Sequence, residues 1–138
     1  MSLRHELAEV LVGDSRYTID AYAFVFESLE HTKSLRKHEQ ILARNRPKVS
    51  HQSRHVNGLE LCEGVRRLAI EHFGYLALTV LKVWGIRSTF DIGEIVFNLI
   101  ASGDLKKTPS DSRHDFLNVF DFEQAFCREF VVTFDEVA

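Results

Sequence analysis

Features of secreted, membrane-spanning and strongly basic proteins are missing from this sequence. It contains 2 cysteines among 138 residues and no CxxC pair. Small secreted domains are usually rich in disulfides, so we expect a reducing, cytoplasmic location. The apolar runs fall far short of the roughly 20 residues of a membrane span, and charges stand too close to the first Met for a signal peptide. The net charge of −3 is the opposite of the basic excess that nucleic-acid binders usually carry.

Patterns typical of metal and phosphate sites are also missing. His51 and His55 stand four residues apart, but no third ligand follows at a suitable spacing. Acids near the C-terminus lack the spacing of a calcium loop, and caps and turns explain them better than a cation site does. These acids are Asp104, Asp111, Asp115 and Asp121. No glycine-rich phosphate loop is present, so we expect neither a metal ion nor a cofactor.

The two thiols are the candidate nucleophiles, and both fall in apolar helical stripes. A reactive cysteine needs a neighbouring base and partial exposure, whereas the surroundings of Cys62 and Cys127 are apolar in sequence. We therefore expect two buried structural thiols and no catalytic residue.

Apolar residues make up 45% of the chain, and 11 residues are Phe, which predicts a Phe-rich core. A chain of this length usually forms one domain with a sizeable core. Because helical periodicity dominates, the sequence predicts a single, compact, mainly α domain over residues 1–138. It predicts about five to seven helices and at most a small two-stranded β element.

The first long helical pattern follows Ser15, which is suited to cap a helix that begins near Arg16. Two apolar stripes run along it and predict burial on two sides. The first stripe is Tyr17, Ala21, Phe24, Val25 and Ser28, and the second is Ile19, Tyr22, Ala23 and Phe26. Polar residues break this pattern near Thr32.

A basic segment spans residues 33–56, with seven Lys or Arg residues against one Glu. Its periodicity is weak, and Pro47 disfavours helix at the residue before it, so we predict a weak helix or a flexible surface loop. The side chains best suited to bind an anion or nucleic acid are Arg44, Arg46, Lys48 and Arg54. A solvated loop explains the same residues, and no aromatic side chain is interleaved to stack on bases.

A second helix is expected to begin at Asn57, because Glu60 stands three residues later and completes a capping box. Its predicted buried face is Leu61, Cys62, Val65, Leu68, Ala69 and Phe73. Gly64 lowers helix propensity, which indicates a close helix contact there. Gly74 is suited to end the helix.

The stretch from Phe73 to Gly103 predicts two apolar helices joined by a turn at Gly85, which is the outline of a helix-turn-helix. The first, Tyr75 to Trp84, is apolar nearly all round, so we expect it to be enclosed on most sides. Ser88 or Thr89 is suited to cap the second.

The second central helix is poorly suited to recognise DNA bases. Phe90 to Ser102 contains Asp91 and Glu94, no Arg or Lys, and Asn98 as its one candidate for base contacts. Acids facing phosphates would repel them.

Shorter elements are predicted after Gly103. A brief strand at Leu105–Thr108 would extend the outline towards a winged helix. Thr108 to Asp111 has the composition of a helix start, and Asp121 is suited to open a last helix with Phe122, Ala125, Phe126 and Phe130 on one face.

The chain carries the motifs HVNGLEL from His55, WGI from Trp84, TFDIGEIVFNLI from Thr89, DSRHDF from Asp111 and DFEQAF from Asp121, preceded by AYAFV from Ala21. With these motifs, the run from Val56 to Phe126 resembles a small uncharacterised protein family known chiefly from Planctomycetes and Verrucomicrobia. The family has no assigned activity, so the resemblance implies a bacterial protein and carries over no catalytic residue.

The sequence thus favours a non-catalytic protein-interaction or structural module that associates with itself or with a protein partner. The alternative is a winged-helix-like nucleic-acid-binding regulator that uses the basic segment 33–56 rather than the central helix. A third hypothesis is an enzyme whose acids around Asp111 bind a metal.

Overall fold

The computed structural model describes residues 14–42, 56–105 and 112–128. Within these ranges the α-helices are α1 (Ile19–Leu42), α2 (Gly58–Phe73), α3 (Ala77–Val83) and α4 (Thr89–Ala101). Short 3-10 helices cover Gly74–Leu76 and Arg113–Phe116, and one π-helical turn covers Gln124–Arg128. No strand occurs in the described ranges, so the predicted mainly α class is confirmed. Leu105 lies in a bend, and the rest of the predicted strand lies outside the described residues.

Helix α1 begins three residues later than the sequence indicates. Thr18 rather than Ser15 precedes it, and the Thr18 Oγ1 accepts a hydrogen bond from the Ala21 amide at 3.2 Å. The helix then continues to Leu42 through the predicted break at Thr32. Thr32 fits inside it because its hydroxyl donates to the Ser28 carbonyl one turn earlier, at 2.8 Å. The first ten residues of the basic segment are therefore helix, and residues 43–55 lie outside the described ranges.

Helix α2 forms as its sequence predicts. The Asn57 Oδ1 accepts from the Glu60 amide at 2.8 Å, and the Glu60 carboxylate accepts from the Asn57 amide at 3.2 Å, which completes the capping box. The predicted core positions are buried, except that Phe73 is half-buried. Gly74 has a φ of 56° and ends the helix.

One hydrophobic core joins these elements. α1 packs against α2 and α4, and the 3-10 helix Arg113–Phe116 packs against α4 and α2. Phe side chains contribute much of the core, as predicted; the buried ones among the described residues are Phe24, Phe116, Phe122 and Phe126. Phe24 also meets Phe73 and Trp84, with ring centroids 5.7 and 5.5 Å away, so an aromatic cluster underlies the end of α2 and the end of α3.

The turn between α3 and α4 is fixed by backbone contacts. Gly85 has a φ of 97°, and a Cβ at this position would overlap the carbonyl oxygen of Arg16. The Thr18 amide donates to the Trp84 carbonyl at 3.2 Å. The segment before α1 therefore holds the turn that positions both central helices.

None of the helices in the described ranges is both long enough and apolar enough to cross a bilayer.

Candidate interaction surface

Large apolar side chains of α3 and of the 3-10 helix before it project into solvent. Tyr75, Leu76 and Val83 are 75%, 52% and 72% exposed. Together with the exposed Thr79 they form the α3 face, because residues three and four apart share one side of a helix. The buried residues of α3, Ala77 and Leu81, lie on the opposite side.

The α3 face corrects the prediction that the helix from Tyr75 to Trp84 is enclosed on most sides. Apolar composition shows which residues can be buried, but it does not show that a neighbour exists to bury them. The α-helix is seven residues long, and the core covers one of its sides.

A groove of about 500 Å³ lies along the neighbouring side of α3. Leu78 and Lys82 line it and are three residues from Tyr75 and Thr79, so the groove and the α3 face meet along the helix surface. The rest of its apolar lining comes from Phe90 of α4 and from the C-terminal segment, residues 112–128, which supplies Leu117, Phe120 and Phe122. Phe90 and Leu117 are 40% and 44% exposed.

Charges of opposite sign line this groove and come from different elements. Lys82 belongs to α3 and Arg87 to the turn after it, whereas Asp121 and Glu123 belong to the C-terminal segment. Asp121 accepts the Gln124 amide at 2.9 Å, so it caps the last helical turn as predicted. None of these four side chains forms an ion pair with another described residue.

The polar side chains of α4 are bonded to the chain itself. The Asp91 Oδ1 accepts from the Tyr17 hydroxyl at 2.5 Å, and its Oδ2 accepts from the Arg87 amide at 2.9 Å. Ser88 occupies the N-cap position, but its hydroxyl makes no cap bond; Asp91 stabilises the helix start instead.

Further along α4, Glu94 lies between two guanidinium groups, 3.0 Å from Arg16 and 2.9 Å from Arg113. The Asn98 amide donates to Asp14 at 3.0 Å and to the Tyr22 hydroxyl at 2.9 Å. Asn98, the candidate base reader, is therefore occupied within the protein.

These contacts change the ionisation of the groups that make them. The hydrogen bond from Arg16, with a further one from Asn98, holds the pKa of Asp14 well below its usual range. Burial, with the hydrogen bond to Asp91, raises the pKa of Tyr17. This network of hydrogen bonds and ion pairs was not predicted from the sequence. The sequence signal for it is the spacing of Asp91, Glu94 and Asn98, which places the three polar side chains along one side of α4.

The two thiols differ, contrary to the expectation that both are buried. Cys62 is buried, and burial raises its pKa to about 12, so it stays a neutral thiol at neutral pH. Cys127 is exposed, because it follows the buried Phe126 by one position and therefore points to another side of the helical turn.

Several predicted site residues lie outside the described residues. These are Arg44, Arg46, Lys48, Arg54, His51, His55 and Asp111. Asp104 accepts from the Ser102 hydroxyl at 2.7 Å, and Asp115 is exposed. Within the described ranges, no three His, Cys, Asp or Glu residues are grouped to hold a metal ion.

Comparison with known proteins adds no relative. No family model, no curated protein and no solved structure matches the chain. The resemblance to the planctomycete and verrucomicrobial family stays a prediction, and the functional proposal depends on the geometry of the chain itself.

Proposed function

We propose that this protein is a non-catalytic interaction module that associates with a second copy of itself. The observation that supports the proposal best is the α3 face, where Tyr75, Leu76 and Val83 stand together in solvent. Burying such a face is favourable by about 25 cal/mol for each Å² of apolar surface. Tyr is also enriched in protein interfaces, because its ring gives a large contact area with few rotatable bonds.

Backbone contacts fix the end of α3 to the rest of the fold, which lowers the entropic cost of binding. The bond from the Thr18 amide to the Trp84 carbonyl and the close contact of Gly85 with Arg16 fix the end of α3. Behind the helix, Phe24, Phe73 and Trp84 form a packed aromatic cluster. A partner therefore meets a surface that needs little reorganisation.

The chemistry of the groove supports a binding role over catalysis. Its described lining contains neither His nor Cys, the usual general bases and thiol nucleophiles. Its charged side chains, Lys82, Arg87, Asp121 and Glu123, are all exposed, which suits them to pair with the charges of a partner.

Sedimentation velocity over a range of protein concentrations tests the proposal. The wild-type protein is expected to form a dimer, and Val83→Lys to raise the dimer dissociation constant about tenfold or more, because each buried Val contributes about 1.5 kcal/mol. Leu35→Lys is the matched control. Leu35 is 42% exposed and lies on α1, which belongs neither to the α3 face nor to the lining of the groove.

The control is expected to dimerise like the wild type. A wild-type protein that stays monomeric at every concentration would refute self-association. An equal effect of the two variants would show that the α3 face is not the contact surface.

The alternative, nucleic-acid binding by the basic segment 33–56, stays a second proposal. One observation favours it: Lys33 and Lys37 are exposed on the last turns of α1, four residues apart and therefore on one side of the helix. Affinity for nucleic acid that falls steeply with salt, and that changing Arg44, Arg46 and Lys48 to Ala weakens, would support it.

A further inference from the structure

We infer that the groove and the α3 face together form a two-fold interface, in which the cations of one copy pair with the acids of the other. This inference rests on the proposed self-association and specifies its geometry. It concerns the cations Lys82 and Arg87, which come from α3 and the turn after it, and the acids Asp121 and Glu123, which come from the C-terminal segment.

The arrangement of charge favours a second copy as the partner. In a two-fold dimer the same patch is used by both subunits, so residue i of one contacts residue j of the other and the reverse. A patch of one sign would repel its own copy. A patch with cations on one element and acids on another can place its cations against the acids of a second copy. The two-fold rotation then also places its acids against the cations of that copy.

The four charged groups are available for such pairing. Within the described ranges no ion pair engages Lys82, Arg87, Asp121 or Glu123. All four side chains are exposed. Asp121 uses one carboxylate oxygen to cap the turn at Gln124, which leaves Glu123 as the less constrained acid.

The apolar part of the surface lies between and beside these charges. Phe90 and Leu117 are partly exposed in the groove, and the α3 face continues from Leu78 and Lys82 around the helix. A stable interface buries roughly 800 Å² on each partner and has an apolar centre with a polar rim. The face and the groove combined have this composition, with exposed apolar side chains and the four charged groups beside them.

Two charge reversals test the inference, because a symmetric interface makes a specific prediction about their mixture. Lys82→Glu alone and Glu123→Lys alone should each weaken homodimerisation about tenfold at low ionic strength, since every reversal places like charges together twice. Mixed in equal amounts, the two variants should form a heterodimer with near wild-type affinity. The glutamate introduced at position 82 of one copy then meets the lysine introduced at position 123 of the other, provided that the basic and acidic sides face each other.

Fluorescently labelled protein in sedimentation velocity reports the heterodimer directly. The mixture of Lys37→Glu and Glu27→Lys is the matched control, since both residues are exposed on α1 away from the groove, and these variants should dimerise like the wild type alone and mixed. Recovery in the mixture also shows that both groove variants are folded.

The outcomes separate the two proposals. If the wild type dimerises and Val83→Lys weakens the dimer, but the mixed reversals do not recover, the self-association stands and the two-fold pairing is wrong. If the wild type does not dimerise, both are wrong. Recovery in the mixed reversals, with control variants whose dissociation constants match the wild type, establishes the pairing.

Discussion

Helices α1 and α2 pack closely at Gly64. A Cβ at this position would overlap the Thr32 Oγ1, while the Thr32 Cβ and the Ser28 carbonyl oxygen would lie at ordinary distances of 3.5 and 3.6 Å. The Thr32 hydroxyl cannot simply move aside, because it is bonded to the Ser28 carbonyl. The missing side chain at Gly64 therefore makes room for a single hydroxyl group.

Gly64→Ala should lower the free energy of unfolding by about 1–3 kcal/mol, since the overlap forces the helices apart. In a Thr32→Ala background the same change should be neutral or stabilising by up to about 1 kcal/mol, because Ala has a higher helix propensity than Gly. Urea unfolding of the four proteins in a double-mutant cycle measures the difference. An effect of the same sign and size in both backgrounds would contradict this packing.

Helix α4 contacts both the segment before α1 and the C-terminal segment. At its start, the buried Thr89 hydroxyl donates to the Phe116 carbonyl at 2.7 Å and accepts from the Val119 amide at 3.2 Å. One turn later, Gly93 faces the Phe116 ring so closely that a Cβ would lie 2.6 Å from it. The C-terminal segment, which forms one side of the groove, is thus positioned by the first turns of α4.

Thr89→Val should lower the free energy of unfolding by about 1–3 kcal/mol, because it leaves the buried Phe116 carbonyl and the half-buried Val119 amide without their partner. The Val119 amide should also exchange its hydrogen faster. Chemical unfolding and hydrogen exchange measure the two effects.

Thr89→Ser keeps the hydroxyl and should preserve the protection at Val119, whereas Ser88→Ala, at the exposed neighbour, should change stability by less than about 0.5 kcal/mol. Protection at Val119 that survives Thr89→Val would show that the hydroxyl does not hold the segment.

Helix α1 is longer than its local sequence pattern predicts. The polar residues around Thr32 favour an end to the helix, but Ser28 and Thr32 both donate to carbonyls one turn earlier, and α2 packs against this part of α1. Tertiary contact therefore extends a helix that the local sequence would end.

For the molecule as a whole, a chain of charged contacts joins three distant segments. Asp14 and Arg16 precede α1, Glu94 lies on α4, and Arg113 lies in the C-terminal segment; Glu94 binds both arginines. Arg16 is half-exposed, so the solvent weakens each pair. The main effect of the network is therefore to fix how the three segments are arranged relative to one another.

Because the pKa of Asp14 is lowered in the folded state, the stability that Asp14 provides depends on pH. Ionised Asp14 stabilises the folded state, fully so above its unfolded pKa of about 4, and the contribution is lost as the pH falls through the lower folded pKa. Asp14→Asn should cost about 1 kcal/mol at neutral pH, and the difference from the wild type should shrink as the pH falls below about 4.

Unfolding free energies measured from neutral to acidic pH check this dependence. Glu27→Gln, an exposed acid of α1 outside the ion pairs described above, is the control and should stay close to the wild type. A difference for Asp14→Asn that is constant with pH would mean that its charge is not what stabilises the contact.

Local chemistry accounts for what the sequence predicted well. The capping box of Asn57 and Glu60, the positive φ of Gly85 and the cap at Asp121 depend on residues within a few positions of one another. The helical class and the buried stripe of α2 follow from periodicity in the same way.

The candidate site could not be predicted because its contacts join residues far apart in the chain. The bonds of Asn98 to Asp14 and to Tyr22 span 84 and 76 residues, and the groove combines α3, α4 and the C-terminal segment. Apolar residues on every side of α3 indicated burial, but in the described part of the chain Ala77 and Leu81 are buried while Val83 stays exposed. Which apolar surface remains in solvent depends on how the helices pack, and that is a property of the folded chain.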